Sequence, residues 1–160
     1  MCKGRYVQDM GFRNRSVAIV LRNKKILMEK VNYYGRYFYT VPGEGIEEGE
    51  TPEEAVLREL KEECGLEGKV VRKLAETYTN GRTEHAFEVE VSDEQEAIVG
   101  YDPEEPKDAQ PIKDVVWKRL EEISEKDRVF LWQYGLVQLE GMFDEVLSWG
   151  DIVSYPKGTQ

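Results

Sequence analysis

The sequence has few of the residues that form disulfides, thiolate metal sites or membrane spans. Its 160 residues include two cysteines, Cys2 and Cys64, and one histidine, His85. This number and spacing predict neither a structural disulfide nor a cysteine/histidine metal site. No apolar run approaches the roughly 20 residues of a membrane-spanning helix, and the N-terminus lacks the basic-then-apolar pattern of a secretory signal. We expect a cytoplasmic protein with no membrane partner, in which His85 is an ordinary half-exposed residue.

The bulk properties are those of a globular domain. Hydrophobic residues make up 40% of the chain, and 160 residues are enough to bury a core. The sequence shows no internal repeat and no second domain. We therefore expect a single domain over residues 1–160, with its core at about 16–147, a short N-terminal arm and a helical C-terminal region.

Short runs rich in β-branched and aromatic residues lie on both sides of residues 43–66 and predict strands. We expect turns at residues 22–24 and at Asn80-Gly81. Residues 92–111 are acidic and contain three prolines, so we expect a loop there, either a substrate loop or a surface excursion. The predicted strands cover residues 16–21, 26–31, 36–41, 69–78, 85–91 and 112–120.

The C-terminal part of the sequence predicts helices. Ser124, with Asp127 three residues later, is a candidate N-cap, and Gly135 and Gly141 are expected to interrupt the helical region. Its many apolar and aromatic side chains fit two roles equally well. They could cover one face of the sheet, or they could form a homodimer contact.

Residues 51–65 carry the signals of a helix with defined ends. Thr51 is a good N-cap, Pro52 suits the first helical position, and Glu54 stands where a capping box places an acid. Gly65 can adopt the left-handed conformation that ends a helix. We predict about thirteen helical residues between these ends.

Three acids of this helix share one face. Glu59, Glu62 and Glu63 stand at positions i, i+3 and i+4, beside an apolar stripe that is expected to be buried. Like charges this close repel each other, and a divalent cation that prefers oxygen ligands, Mg²⁺ or Mn²⁺, would offset the repulsion. A Glu-rich helix is more often a solvated surface, but here the acids come with a capped start, a glycine stop and a preceding glycine-rich loop.

The stretch from residue 43 to residue 66, GEGIEEGETPEEAVLRELKEECGL, resembles the Nudix box, Gly-x5-Glu-x7-Arg-Glu-U-x-Glu-Glu-x-Gly-U, in which U is apolar. The resemblance implies an α/β/α sandwich with a mixed sheet over residues 16–147. It also implies Mg²⁺- or Mn²⁺-dependent hydrolysis of a nucleoside diphosphate linked to another group. The matching residues are Glu50, Arg58, Glu59, Leu60, Glu62, Glu63, Gly65 and Leu66.

One position departs from the box, because Glu44 stands where its leading glycine is expected. If the backbone needs a positive φ there, glutamate costs about 1 kcal/mol relative to glycine. Gly43 and Gly45 on either side are expected to absorb the bend. The extra carboxylate could also change the field at the metal or the choice of substrate.

The resemblance assigns roles to the box residues. Glu62 and Glu63 are the leading metal ligands, and Glu59 is either a ligand or the general base that acts on water. Arg58 is expected to orient Glu59 or to pair with Glu50, since a guanidinium group does not deprotonate in proteins. The backbone carbonyl of Gly43 is expected to complete the metal coordination.

Three residues outside the box are candidates for substrate binding. Arg36 lies in the aromatic run that leads into the box, and Tyr39 in the same run could stack on a base, although packing is its more common role. Asp114 precedes a strand tryptophan, as acids do in the resembled family, with Glu104 and Glu105 before it. We expect a small nucleotide substrate rather than a nucleic acid polymer.

The charge distribution agrees with an anionic substrate. The net charge of −10 argues against nonspecific binding of nucleic acid. Residues 1–36 nevertheless carry nine Lys/Arg against two acids, a balance of +7 that leaves −17 for the remainder. A basic segment that faces an acidic metal site would suit a polyphosphate, and scattered solvated charges are an equally good interpretation.

Two other functions stay open at this point. A Nudix-like module can sense a nucleotide without cleaving it, although the box acids are all present here. The same fold also carries isomerases of allylic diphosphates, which leave the phosphates intact. The sequence does not identify the substrate.

Overall fold

The structure is a computed structural model that describes residues 13–79, 81–101, 103 and 105–148. Predictions on Cys2, Asn80, Glu104 and most of the N-terminal arm lie outside these residues. The strands are β1 (Arg15–Ile19), β2 (Leu21–Arg22), β3 (Lys25–Tyr33), β4 (Arg36–Thr40), β5 (Gly43–Gly45), β6 (Gly68–Thr79), β7 (Arg82–Val91) and β8 (Ile112–Lys118). The helices are α1 (Pro52–Cys64), α2 (Glu125–Gln133) and α3 (Met142–Ser148), with 3₁₀ turns at Leu120–Glu122 and Leu136–Gln138.

The described strands form two sheets of four strands each. In the first sheet the order is β5-β1-β7-β6, where β1 and β7 are parallel and the other pairs are antiparallel. The second sheet is antiparallel, with β3 between β8 on one side and β2 and β4 on the other. The predicted mixed sheet is confirmed. The division into two sheets was not predicted. The chain passes from the first sheet to the second at Val20, between β1 and β2.

Two hydrophobic clusters lie on opposite faces of the sheets. Along β1, Val17 and Ile19 belong to one cluster and Ala18 belongs to the other, together with Val20 directly after the strand, as expected for side chains that alternate along a strand. Helix α1 packs into the cluster that contains Ala18, and the C-terminal helices pack into the cluster that contains Val17. The α/β/α arrangement is confirmed. No helix in the described ranges is long and apolar enough to cross a membrane.

The C-terminal region covers a sheet face, which was one of its two predicted roles. Its α2 and α3 are separated by breaks at Gly135 and Gly141, each with a φ of 80°. Ser124 precedes α2 as predicted, but its hydroxyl donates to the Asp127 carboxylate and makes no bond to a helical N–H. The side chains that pack against the sheet are Leu131, Tyr134, Leu136, Leu139 and Met142.

The middle of β7 is buried on both faces. A half-buried strand would expose alternate residues, but residues 84–87 are all buried because clusters cover both faces of β7. His85 lies in this stretch and is 9% exposed, so the expectation of a half-exposed histidine was wrong. Cys64 is buried on α1 as a free thiol.

Local signals predicted the ends of α1 and the tight turn near the start of the chain. The Thr51 hydroxyl accepts from the N–H of Glu54, and the Glu54 carboxylate accepts from the N–H of Thr51. Gly65 ends the helix at a φ of 67°. Asn23 and Lys24 both have positive φ, as a two-residue hairpin turn requires.

Candidate active site

Strand β5 brings the start of the Nudix-like stretch against α1. Gly43 pairs with Val17 of β1 at a φ of 141°, and a Cβ there would lie 2.1 Å from the carbonyl oxygen of Ser16. This close approach of two backbones requires glycine at position 43. The N–H of Gly43 then donates to Oε1 of Glu63 at 2.9 Å, so β5 holds one carboxylate of α1 in place.

Arg58 connects the loop before α1 to the acids on the helix. Its Nε and Nη2 donate to the two carboxylate oxygens of Glu50, at 2.7 and 2.9 Å. Its Nη1 donates to Glu59 at 2.6 Å and to Glu62 at 3.2 Å. The structure thus shows both contacts that were expected of Arg58. The bidentate pair lowers the pKa of Glu50 below its ordinary value, and the same contacts raise the pKa of Arg58.

Three carboxylates converge beside this arginine. Glu44 on β5 and Glu59 and Glu63 on α1 each offer an oxygen, and these oxygens all lie within 4.8 Å of one another. Glu59 and Glu63 are 7% and 8% exposed, whereas Glu44 is exposed at the mouth of the cluster. We call these three residues the carboxylate cluster.

A fourth acid, Glu29, lies behind the cluster and was not singled out from the sequence. It stands on β3, is 2% exposed, and shares a hydrogen bond with Glu63. The Sγ of Cys64 lies 3.5 Å from its Oε1. The signal in the sequence was a lone acid inside the apolar run ILMEKV, because a charged residue in a buried strand needs a partner.

Burial and mutual repulsion keep protons on these acids. Loss of solvent raises the pKa of Glu29 to about 7, and it raises the pKa of Glu59 to about 7 although Arg58 opposes the shift. The pKa of Glu63 is raised further above its ordinary value by burial and by Glu29 and Glu59. Groups of this kind ionise readily only when a cation replaces the protons.

The donor set fits a hard divalent cation. All side-chain donors of the carboxylate cluster are oxygens, which Mg²⁺ and Mn²⁺ prefer, and neither thiolate nor imidazole groups take part. In proteins such ions are usually bound by one or two carboxylates together with the phosphates of the substrate. The arrangement is therefore able to hold a divalent cation at the end of β5.

Two predicted ligands are placed differently from the carboxylate cluster. The Glu62 side chain is 39% exposed and points to Arg58. The carbonyl of Gly43 accepts a hydrogen bond from Nη2 of Arg15 at 3.3 Å. Both remain predictions as metal ligands.

The predicted substrate residues do not lie with the carboxylates. Tyr39 and Asp114 both pair with Lys30 of β3, so their side chains face the same side of the sheet. Glu29, the next residue to Lys30, faces the opposite side and contacts α1. Tyr39 packs under Nζ of Lys118, 4.2 Å from its ring centroid, and Arg36 is exposed at the start of β4. Their roles in substrate binding remain predictions.

An arginine that the sequence reasoning left aside contacts the box loop. Arg13 donates from Nε to the carbonyl of Ile46 at 3.1 Å and from Nη2 to the carbonyl of Gly45 at 3.3 Å. Gly45 also accepts from Arg58 at 3.2 Å. The loop that leads to Glu50 is therefore held by two guanidinium groups from two different parts of the chain.

The fold and this acidic site define a class of proteins that position carboxylates for a divalent cation on a capped helix. A family model described as NUDIX domain matches residues 12–139. The chain therefore belongs to the Nudix family, as the sequence resemblance indicated.

Comparisons with individual proteins agree at the level of fold. The chain is similar to a hydrolase of the NUDIX family from Clostridium perfringens, with a TM-score of 0.61 and 17% identity over 81% of this chain and 99% of that one. It is similar to a NUDIX hydrolase from Nitrosomonas europaea, with a TM-score of 0.60 and 19% identity over 73% of this chain and 62% of that one.

Among curated proteins, an RNA pyrophosphohydrolase from Yersinia enterocolitica is 44% identical over 71 residues. The match covers 44% of this chain and 40% of that protein. The chain thus spans less than half the length of the curated relatives that it matches.

Proposed function

We propose that the chain is a Mg²⁺- or Mn²⁺-dependent pyrophosphohydrolase that cleaves the diphosphate linkage of a nucleoside diphosphate joined to another group. The observation that carries this proposal is the convergence of Glu44, Glu59 and Glu63 next to Arg58 within a Nudix box. Such a cluster is unfavourable without a cation and suits one that also binds phosphate oxygens.

The divalent cation would be held by Glu59 and Glu63, with Glu62 and the Gly43 carbonyl as further candidate ligands. When bound, it neutralises phosphate oxygens and lowers the pKa of a coordinated water. The protein holds the carboxylates of Glu59 and Glu63 in position. Arg58 holds Glu59 through Nη1 and is itself held by Glu50, while the N–H of Gly43 holds Glu63.

Glu59 also has the properties of a general base. A base works best when its pKa is near the operating pH, and burial raises the pKa of Glu59 to about 7. Its carboxylate is able to accept a proton from water at the oxygen that does not bond to Arg58. The two roles of Glu59, ligand and base, both stay open.

Replacement of one ligand tests the proposal. Glu63→Gln keeps the shape of the side chain and removes its charge, so we expect turnover with Mg²⁺ to fall by at least about 100-fold. The control is Glu48→Gln, which removes the same charge from an exposed turn between β5 and α1. Near-normal turnover of Glu63→Gln would refute its assignment as a ligand.

A panel of substrates addresses the class of linkage. We propose Mg²⁺-dependent assays on nucleoside triphosphates, ADP-ribose, dinucleoside polyphosphates and nucleotide sugars, with the products resolved. A 5′-triphosphorylated oligoribonucleotide belongs in the panel because a curated relative is named RNA pyrophosphohydrolase. The net charge of −10 leads us to expect small nucleotides rather than nucleic acid polymers.

The same panel separates the other two functions. A sensing module would bind a nucleotide without product formation, and an isomerase would return an isomerised diphosphate with its phosphates intact. The complete set of box acids supports hydrolysis over sensing.

The single domain, the cytoplasmic location and the homodimer remain predictions. Apolar side chains that stay exposed on the C-terminal helices support the homodimer, among them Phe130, Phe143 and Leu147. Sedimentation velocity at several protein concentrations would measure the oligomeric state.

A further inference from the structure

A continuous series of hydrogen bonds links the C-terminal helical layer to a carboxylate of α1. The hydroxyl of Tyr134, directly after α2, donates to Oε2 of Glu84 at 3.4 Å. Oε1 of Glu84 accepts from Nη1 of Arg15 at 3.4 Å, and Nη2 of Arg15 donates to the carbonyl of Gly43 at 3.3 Å. Gly43 in turn donates its N–H to Oε1 of Glu63 at 2.9 Å. We call Tyr134, Glu84 and Arg15 the Glu84 network.

The sheet register brings the members of the Glu84 network together. Glu84 of β7 stands opposite Arg15 of β1 in the parallel pairing of these strands, and it is 6% exposed. A carboxylate this buried needs partners for its charge, and Arg82 of the same strand is a further partner at 3.2 Å. Tyr134 is buried above Glu84, whereas the Arg15 side chain is 25% exposed. The network therefore extends from the interior to the edge strand β5.

Gly43 is the point at which β5 needs this support. The N–H of Ala18 donates to the carbonyl of Pro42 at 2.8 Å, so β1 holds the peptide group before Gly43. The carbonyl of the next peptide group is the one that Arg15 holds. Gly43 has a φ of 141°, and glycine rotates about its backbone bonds more freely than any other residue. The contact with Arg15 therefore fixes the orientation in which β5 meets Glu63.

We propose that Glu84 is a positioning residue for the hydrolysis, which acts through Arg15 and Gly43 on the carboxylate of Glu63. This inference rests on the proposed function and deepens it. Glu84 lies on the sheet face that the C-terminal helices cover, opposite α1, so its effect on the reaction passes through β5. A small displacement of a group that acts on the reacting atoms lowers the rate of the chemical step more than it weakens substrate binding.

Steady-state kinetics with Mg²⁺ test the inference, on whichever substrate of the panel the parent protein cleaves. Glu84→Gln keeps the shape of the side chain and removes the charge that holds Arg15. We expect kcat to fall about 10-fold while KM stays within about twofold. The matched control is Glu88→Gln, on the same strand and the same face, which breaks a comparable ion pair with Arg72 of β6. This control should change kcat by less than about twofold.

A milder variant tests the far end of the network. Tyr134→Phe removes one hydroxyl group, and we expect kcat to fall about threefold with KM unchanged. Its control is Tyr78→Phe, which removes an exposed hydroxyl group from β6. Because Tyr134 acts through Glu84, Tyr134→Phe should lower kcat less in the Glu84→Gln background than in the parent protein.

The outcomes separate this inference from the proposed function. If Glu84→Gln and Tyr134→Phe are folded in thermal melts and keep the kcat of the parent protein, or if Glu88→Gln lowers kcat equally, Glu84 has a structural role only. The inference then fails while the proposed function stands. If Glu84→Gln does not fold, the kcat of Tyr134→Phe against that of Tyr78→Phe decides. If the parent protein cleaves no substrate of the panel, the proposed function fails and the inference fails with it.

Discussion

At the scale of single residues, the site depends on a few groups whose environments differ sharply from water. Glu29, Glu59 and Glu63 gain protons through burial, while Glu50 loses them more easily because Arg58 donates two hydrogen bonds to it. Helix α1 therefore has two functions. Its Arg58 forms the ion pair with Glu50 that holds the preceding loop, and its buried acids form a group that needs a cation. This division follows from burial and from the number of contacts, because Arg58 donates two hydrogen bonds to Glu50 but one to the buried Glu59, where burial outweighs it.

His85 gives a prediction that a proton NMR titration can test directly, because it is the single histidine of the chain and its resonance needs no further assignment. Burial is the main cause that lowers its pKa below the ordinary 6.5, Lys73 adds to the shift, and Glu76 opposes it. We expect the C2 proton resonance of His85 to titrate with a midpoint below 6.5, as measured by proton NMR. A midpoint at or above 6.5 would contradict the effect of burial.

The sign of the corresponding change in stability follows from linkage. The folded-state pKa of His85 is lower than the unfolded one, so its contribution to stability is present above about pH 6.5 and is lost as the pH falls. Replacement by Gln removes this titration. The difference in free energy of unfolding between parent and His85→Gln should therefore shrink from about pH 7 to about pH 5.5 in urea denaturation.

At the scale of elements, the sequence predicted what is local and missed what is long-range. Thr51, Pro52 and Gly65 set the ends of α1 through contacts within a few residues, so pattern alone was sufficient. The three acids on one helical turn were predictable for the same reason. Glu29 and Arg13 come to the site from distant parts of the chain, and periodicity within a window carries no signal of such pairings.

The segment from Ala97 to Tyr101 is a second long-range feature, because the sequence indicated only a loop there. The N–H groups of Ile98 and Gly100 donate to the carbonyls of Cys64 and Glu63, at 3.0 and 2.8 Å. The last carbonyls of a helix have no partner within it, so this segment caps α1 directly behind its acids. A Cβ on Gly100 would lie 1.6 Å from the carbonyl oxygen of Glu62.

We expect Gly100→Ala to loosen this cap. The added methyl group must displace the segment or the end of α1, at a loss of about 1–3 kcal/mol in the free energy of unfolding. Urea denaturation measures this loss, and Mn²⁺ titration should show a weaker affinity because Glu62 and Glu63 move with the helix end. The matched control is Val99→Ala in the same segment, whose half-exposed side chain should contribute within about 0.5 kcal/mol. An equal effect of the two substitutions would rule out a specific capping role.

At the scale of the whole molecule, the two sheets and their two hydrophobic clusters create the place where acids can be buried. Helix α1 packs on one face with its apolar side, and the edge of that side carries Glu59 and Glu63 under β5. The sequence predicted the layers, because strand and helix patterns are strong. It did not predict that Glu29 on β3 would meet Glu63 on α1, since this contact exists only when the second sheet packs against the helix.

In the absence of metal, the stability of the protein should therefore decrease as the pH rises towards neutrality. In the metal-free protein the pKa values of Glu29 and Glu59 are raised from 4.5 to about 7, and that of Glu63 is raised further. A raised folded-state pKa contributes stability that is fully present below the unfolded value and is lost as the pH rises through the folded value. We expect the Tm in EDTA to fall as the pH rises from about 4.5 to about 7, and the raised pKa of Glu63 extends the fall to higher pH.

Divalent cations should reverse this loss, because Mg²⁺ replaces the protons that leave the acids. The increase in Tm caused by Mg²⁺ is expected to be larger at about pH 8.5 than at about pH 6.5, as measured by differential scanning calorimetry. Glu29→Gln removes one buried charge that is not part of the carboxylate cluster, so it should flatten the dependence of Tm on pH in EDTA. A Tm in EDTA that rises from about pH 4.5 to about pH 7, or an equal effect of Mg²⁺ at both pH values, would mean that the buried acids are already ionised and compensated within the protein.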